Sequence, residues 1–159
     1  NSKKTVKGSV NEGGIRVPTI ATWPMKIKSG TISDHPSTFY DFFATVSDII
    51  GKPLSNRTDG ISYYPSLIGK EQKVHDYLYW EFPAYGGQQA IRIDKWKGIK
   101  RDLFKGSSDL QLYDLSKDPK ELNNVAVNYP DLVDKMEILL KEAHTKATIQ
   151  KFNIPVLDQ

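Results

Sequence analysis

The chain has 159 residues, of which 38% are apolar, so it is long enough to bury the core of one ordinary domain. Its 22 basic and 19 acidic side chains leave a formal charge of +3, too small an excess to indicate a nucleic-acid-binding protein. The lack of cysteine excludes disulfides, thiolate zinc sites and a cysteine nucleophile from these residues, and no apolar run reaches the roughly 20 residues of a membrane span.

The first predicted elements are a strand and an amphipathic helix. A glycine-rich stretch at residues 7–14 leads into the apolar, β-branched segment at residues 15–24, which predicts a buried strand. Apolar residues then recur every three or four positions between Pro36 and Gly51, which predicts a helix that ends at the glycine. The many turn-forming residues between Lys52 and Gly69 indicate a connection between domains.

Four short β-prone runs and a final helix follow. The runs are residues 77–82, 89–94, 96–103 and 110–115, and their spacing favours an antiparallel sheet built from hairpins. An amphipathic helix of roughly 18 residues is predicted from Pro130, and we expect its apolar stripe to pack on the sheet. Composition and periodicity therefore predict an α+β fold, and by themselves they predict no activity.

Three patterns indicate chemistry only weakly. Gly8 and Gly13 are spaced as in a phosphate-binding loop, but Gly14 and Ile15 stand where that loop needs a lysine and a hydroxyl residue, so no nucleotide site is expected. The three histidines lack the spacing of a zinc site. Residues 95–101 mix basic and aromatic side chains as single-stranded nucleic-acid sites do, and we interpret them instead as an edge hairpin with solvated lysines.

Several motifs occur in a fixed order along the chain. They are K-G-S, E-G-G-I-R-V-P and W-P within residues 7–24; S-D-H-P and D-F-F-A-T-V within 33–46; D-G-I-S and P-S-L-I-G within 59–69; Y-W-E-F, Q-A-I-R and W-K within 79–97; and L-Y-D-L with D-P-K-E-L-N-N-V-A within 112–126. Together they resemble the C-terminal part of an arylsulfatase-type, formylglycine-dependent sulfatase of the alkaline-phosphatase-like superfamily. One departure is Ala44, which stands where that family usually has proline.

The resemblance implies a particular architecture. It implies a four-stranded antiparallel sheet packed by a C-terminal helix, preceded by the last strand and helix of an alkaline-phosphatase-like α/β domain. On this interpretation residues 1–51 are the C-terminal end of the catalytic domain, residues 52–70 are the connection, and residues 71–159 form the small C-terminal subdomain. The chain is then expected to be part of a longer enzyme.

The resemblance also implies a reaction and a set of site residues. The reaction is hydrolysis of a sulfate ester by a formylglycine made from an upstream cysteine or serine, beside a calcium ion whose ligands lie outside this segment. Lys7 matches the family's sulfate-binding lysine, with Lys3 and Lys4 as less well spaced alternatives. Residues expected to support its loop are Glu12, Gly13, Gly14 and Arg16, with the two glycines permitting a tight turn. Residues expected to line part of the substrate cleft are Tyr79, Trp80, Tyr85 and Gln88.

Partners and location follow from the same resemblance. The expected substrate is a sulfated small molecule or glycan, and the expected location is extracytoplasmic, either periplasmic or secreted. The segment is expected to be inactive without the rest of the sulfatase chain, to bind neither nucleic acid nor membrane, and to self-associate where apolar surface is exposed. The alternative is a non-catalytic carbohydrate-binding or assembly module from a degenerate sulfatase relative.

Overall fold

The structure is a computed structural model that describes residues 7–54, 58–107 and 109–158, so Lys3 and Lys4 lie outside the described residues. The chain divides into two compact units. One contains the described residues up to Val17 together with the chain from Tyr77 onward, and the other is Pro18–Asp76. Among the helices that the described residues form, none has the length and hydropathy that a bilayer-spanning segment needs.

The sheet of the first unit has four antiparallel strands, as predicted. They are β1 (Leu78–Phe82), β2 (Gln88–Ile93), β3 (Trp96–Arg101) and β4 (Gln111–Asp114), and they pair in the order β1-β2-β3-β4. A two-residue turn at Asp94 and Lys95 joins β2 to β3, and Asp94 takes a positive φ of 50° there. Such tight hairpins fix the register, which places Ile91 opposite Gly98 and Gly98 opposite Leu112.

The C-terminal helix covers one face of this sheet. Its apolar stripe packs Met136 and Leu140 against Ile91 and Leu112, and all four side chains are buried. Gly98 permits this contact, because a Cβ atom there would lie 2.9 Å from the Met136 sulfur. The helix, α4, spans Pro130–Ala143, which is 14 residues and shorter than predicted. The chain turns extended at His144, whose side chain bonds to groups outside the helix.

The opposite face of the sheet is covered by the N-terminal segment. Val10 is only 2% exposed and packs with Ala90, Ile99 and Tyr113. One helical turn, α1 (Glu12–Ile15), follows directly. The sheet therefore lies between α4 and residues 8–12, an arrangement that the predicted bounds at residues 51 and 70 do not anticipate. Those bounds assign segments to domains of a larger protein, and they stay a prediction.

The predicted strand at residues 15–24 is wrong for this structure. Ile15 ends α1, no strand forms among these residues, and Val17 and Ile20 are 71% and 94% exposed. A strand is stable only with a hydrogen-bonded neighbour and a buried face, and the four described strands pair with one another instead. Pro18 and Pro24 also remove two of the backbone donors that a ladder would need.

The second unit contains the predicted amphipathic helix, but its polar side is the side that packs. The helix α2 spans Asp41–Ile49 and buries Asp41, Ala44, Thr45 and Ser47. Asp41 and Thr45 accept hydrogen bonds from the backbone amides of Ile61 and Tyr63 at 2.9 and 3.0 Å. The loop that supplies these amides continues into the single turn α3 (Tyr64–Leu67). The apolar residues of α2 and its flanks are exposed, namely Phe39, Phe42, Phe43, Val46, Ile49 and Ile50.

The interpretation of residues 95–101 as an edge hairpin with solvated lysines is also wrong. β3 lies between β2 and β4, and the Lys97 side chain is fully buried. Lys100 is 8% exposed and pairs with Glu137 of α4 on the other side of the sheet. The two lysines point to opposite faces of the sheet because side chains alternate along a strand. Lys97 therefore faces the N-terminal segment.

Candidate functional site

Lys7 lies in an exposed turn at the start of the described chain. Gly8 follows with a φ of +88°, a left-handed conformation that glycine adopts without strain. A Cβ atom at Gly8 would lie 2.5 Å from Cε2 of Tyr85, so the aromatic ring occupies the space that a side chain would need. Both the turn and the close approach of Tyr85 therefore require glycine at this position.

Gln88 ties the backbone after Lys7 to strand β2. Its amide nitrogen donates to the carbonyl oxygen of Gly8 at 3.0 Å, and its amide oxygen accepts from the backbone N–H of Val10 at 3.4 Å. The Gln88 side chain is buried, so both bonds are shielded from water. Gln88 therefore holds the Lys7 turn on the sheet. Its predicted role was to line part of the substrate cleft.

A buried ion cluster fixes the next two residues. The ammonium group of Lys97 lies 2.7 Å from Oε1 of Glu12 and 3.0 Å from Oε1 of Glu121. Oε2 of Glu121 accepts hydrogen bonds from the Asn11 side-chain amide at 2.7 Å and from the Glu12 backbone N–H at 2.9 Å. Glu121 therefore caps α1, because the first N–H of a helix has no partner within the helix. The guanidinium of Arg101 donates to Oδ1 of Asn11 at 2.9 Å.

The residues predicted to support the loop are thus placed differently from one another. Glu12 is buried in the ion cluster. Gly13 and Gly14 lie in the helical turn α1 without positive φ, so the left-handed turn is supplied by Gly8 rather than by them. Arg16 is exposed, and its backbone N–H bonds to the Glu12 carbonyl oxygen at 2.8 Å.

Of the four residues predicted to line a cleft, Tyr85 has the exposed ring. Its side chain is 77% exposed and stands beside Phe82 at a ring-centroid distance of 6.1 Å. Tyr85 also takes a φ of +51°, which is uncommon for a bulky residue and which costs backbone strain of order 1 kcal/mol. The Trp80 ring lies over the Lys97 ammonium, 5.7 Å away, and seals the ion cluster from that side.

Tyr79 belongs to a second polar network, at the end of β1. Its hydroxyl donates to Glu81 and accepts from the Gln89 amide at 2.9 Å. Burial, together with the bond to Glu81, raises the pKa of Tyr79, so its phenol stays protonated. The same Glu81 carboxylate lies 2.7 Å from Nδ1 of His144. Tyr79 is therefore committed to structural bonds.

His144 joins this network to the C-terminal tail. Its Nε2 lies 3.2 Å from Oδ1 of Asp158, and Oδ2 of Asp158 accepts the backbone N–H of Ile154 at 2.8 Å. Burial disfavours the charged imidazole, but the bonds to Glu81 and Asp158 outweigh that cost and raise the pKa of His144. Ile154 is fully buried, so the tail is docked on this unit.

The described residues do not supply a metal site. No group of three or more His, Asp or Glu side chains among residues 7–54, 58–107 and 109–158 is arranged to hold a metal ion. In the second unit, His75 pairs with the buried Asp41 at 2.8 Å, a contact that holds residue 75 against α2. The described residues therefore do not fit a calcium ion.

Sequence reasoning missed the ion cluster. Glu121 and Lys97 both occur in the quoted motifs D-P-K-E and W-K, which is the signal that could have identified them. Neither periodicity nor hydropathy indicates that a lysine is buried, because lysines are almost never fully buried unless they are paired. Pairing depends on contacts between residues 12, 97 and 121, which are far apart in the chain.

Comparison with known proteins identifies the family. Residues 6–146 match the family model described as N-sulphoglucosamine sulphohydrolase, C-terminal. The chain is 30% identical to an N-acetylgalactosamine-6-O-sulfatase of Bacteroides thetaiotaomicron over 88% of this chain and 29% of that protein. It is 31% identical to human arylsulfatase A, over 84% of this chain and 31% of that protein. The chain thus spans about a third or less of the length of these relatives.

The fold agrees with the sequence match. A solved structure from the glycosaminoglycan-metabolism locus of Bacteroides thetaiotaomicron superimposes with a TM-score of 0.65 at 30% identity, covering 82% of this chain and 29% of that one. The chain therefore belongs to the sulfatase family, as a member of its N-sulphoglucosamine sulphohydrolase C-terminal group.

Proposed function

We propose that this chain is the C-terminal part of an enzyme that hydrolyses sulfate esters, and that it supplies Lys7 as a sulfate-binding cation. The observation that carries the proposal is the placement of Lys7. It is exposed, while three residues that follow it and their partner on the sheet are buried, namely Val10, Asn11, Glu12 and Gln88. An exposed ammonium on a turn whose backbone is held in place suits the recognition of an anion, because only the lysine side chain remains to be ordered when the anion binds.

The proposed chemistry of Lys7 is electrostatic. Sulfate oxygens and the leaving oxygen gain negative charge as the ester bond breaks, and a fixed ammonium group stabilises that charge. Lysine serves as a compact point charge with three donors. In the whole protein, a formylglycine and a calcium ion outside this chain would supply the nucleophile and further charge stabilisation. The 159 residues contain neither a C-x-P-x-R nor an S-x-P-x-R motif from which a formylglycine could be made, and the described residues hold no metal cluster. We therefore expect this segment alone to show no turnover.

We propose that Tyr85 contacts the leaving group of the substrate. Its ring is exposed and touches Gly8, next to Lys7, so a sulfate on Lys7 would place the attached ring within reach of it. Aromatic rings pack on the apolar faces of sugars and aryl groups alike. The substrate class proposed is accordingly a sulfated glycan or a sulfated aryl compound, and the proposed location, which rests on the family resemblance, is extracytoplasmic.

We also propose that the exposed apolar side of α2 packs against the rest of the sulfatase chain. Phe39, which flanks α2, is 93% exposed, and Phe43, within α2, is 60% exposed. Adjacent exposed aromatic residues are unusual on the surface of a stable monomer. When the 159 residues are prepared alone, we expect the same surface to drive self-association. Light scattering at micromolar concentration tests this, and a monomer at all concentrations would contradict it.

The experiment that tests the proposed function compares two lysine variants in the full-length protein. Para-nitrophenyl sulfate and a panel of sulfated monosaccharides serve as probes. Lys7→Ala is expected to lower kcat/KM about 100-fold or more on any hydrolysed probe, because one charge-stabilising group is lost. The control is Lys135→Ala, an exposed lysine on α4 with the same change of charge, and it should leave turnover unchanged. Equal activity of both variants would reject the role of Lys7.

A further inference from the structure

The buried ion cluster lies directly beneath the residues that carry Lys7. Lys97 is fully buried, Glu121 is 1% exposed and Glu12 is 8% exposed, so three charged groups are removed from water together. They come from the middle strand β3, from the N-terminal segment and from the loop after β4. Each ionic contact lies between residues at least 24 positions apart, so the cluster joins three separate parts of the chain.

Stability alone is a poor explanation for such a cluster. Removing charges from water is costly, and well-packed apolar residues of similar volume often stabilise a protein as well or better. A buried pair does impose geometry, since any displacement leaves a charge without its partner. Here the geometry concerns residues 11 and 12, because Glu121 binds the Asn11 side chain and the Glu12 backbone N–H as well as Lys97.

The geometric constraint extends to Lys7 through the short backbone segment at residues 8–12. Asn11 and Glu12 are fixed by the cluster, and Gly8 and Val10 are fixed by Gln88. We propose that Lys97, Glu12 and Glu121 are positioning residues for the sulfate site, holding the Lys7 turn in register on the sheet. This proposal rests on the proposed role of Lys7 in binding sulfate. It assigns the small C-terminal sheet a part in catalysis that needs no contact with substrate.

The test is a double-mutant cycle in the full-length protein. Glu121→Gln keeps the shape of the side chain and one acceptor oxygen for Asn11 and Glu12, but its amide nitrogen replaces the oxygen that faces Lys97 and cannot accept a hydrogen bond from it. Lys97 keeps Glu12 as its counter-ion, so the variant is expected to fold with a weakened cluster. We expect kcat/KM on the hydrolysed probe to fall about 10- to 100-fold, as displacements of about 1 Å at a reacting group do. In a Lys7→Ala background the same change should cost little more, because its effect acts through Lys7.

The outcomes separate the two proposals. If Lys7→Ala lowers turnover but Glu121→Gln costs the same factor with and without Lys7, the positioning role is overturned and the role of Lys7 stands. If Lys7→Ala has no effect, the proposed function fails and the positioning role fails with it. The matched control is Lys100→Gln, which removes a paired lysine from the same strand but on the face toward α4. It should show no coupling to Lys7.

A second measurement does not depend on activity. Trypsin cleaves after lysine, and the Lys7–Gly8 bond is protected only as long as its turn stays on the sheet. Mass spectrometry of the intact full-length protein should show cleavage at this bond about tenfold faster in Glu121→Gln and Glu12→Gln than in the wild type, since each loses an ionic contact of the cluster. Cleavage in Lys100→Gln should match the wild type. Equal rates in all four proteins would overturn the proposal.

Discussion

At the scale of single residues, the candidate site combines one exposed cation with buried neighbours. Lys7 and Tyr85 face solvent, whereas Gln88, Glu12 and Lys97 are buried and bonded. Each of these three buried side chains has a partner from another part of the chain, which offsets the cost of removing its polar group from water. The Lys7 turn is therefore held in place by buried residues from other parts of the chain.

A substitution at Gly8 tests the turn that carries Lys7. Gly8→Ala is expected to lower the free energy of unfolding by about 1–2 kcal/mol, partly because alanine is strained at positive φ and partly because its Cβ must displace the Tyr85 ring. Urea denaturation followed by circular dichroism measures the change.

Gly106→Ala provides the control for the backbone strain. Gly106 has a φ of +78° and no atom within 4 Å of an added Cβ, so it should show the strain without the displaced ring. Adding Tyr85→Ala to Gly8→Ala should reduce the loss to that of Gly106→Ala. A Gly8→Ala variant no less stable than Gly106→Ala would show that the ring does not occupy the space beside Gly8.

At the scale of elements, the sequence predicted the strands of the sheet, because side-chain alternation and turn-forming residues determine where strands begin and end. The strands agree with their predicted bounds to within two residues at most ends, and α4 begins at Pro130 as predicted. The failures have a common cause. The apolar runs at residues 15–24 and along α2 indicate burial, but burial needs a partner surface, and a local pattern does not contain its partner. The prediction of solvated lysines on β3 failed for the converse reason, because Lys97 is buried by residues that are far away in the chain.

The junction between α4 and the C-terminal tail should depend on pH through His144. The pKa of His144 is raised above its ordinary 6.5, so the folded chain binds its proton more tightly than the unfolded chain. The resulting stabilisation is complete below pH 6.5 and is lost as the pH rises through the higher folded pKa.

A difference measurement isolates this effect from the other histidines. His35 has a lowered pKa, because burial disfavours its charged form, so its contribution changes with pH in the opposite direction. The urea midpoints of the wild type and His144→Gln should differ most near pH 6 and converge at higher pH. A difference that stays constant between pH 6 and pH 9 would show that protonated His144 does not hold the tail.

At the scale of the whole molecule, the chain matches the C-terminal part of sulfatases. It spans 29% of the length of the Bacteroides N-acetylgalactosamine-6-O-sulfatase that it resembles, and its described residues hold no metal cluster. What it offers is an exposed lysine, an exposed aromatic ring beside it, and a sheet that holds both in place. The motif resemblance predicts the role of the lysine, and the structure shows the buried residues that hold its turn.

Inhibition by inorganic sulfate tests the central claim most directly, because sulfate is the product and binds without the leaving group. The inhibition constant for sulfate is to be measured on the full-length protein and on Lys7→Ala, with Lys135→Ala as the control. We predict a constant about 10- to 100-fold higher for Lys7→Ala, the loss expected for a hydrogen bond between charged groups, and an unchanged constant for Lys135→Ala. Equal inhibition of all three proteins would contradict the account, because sulfate would then bind without Lys7.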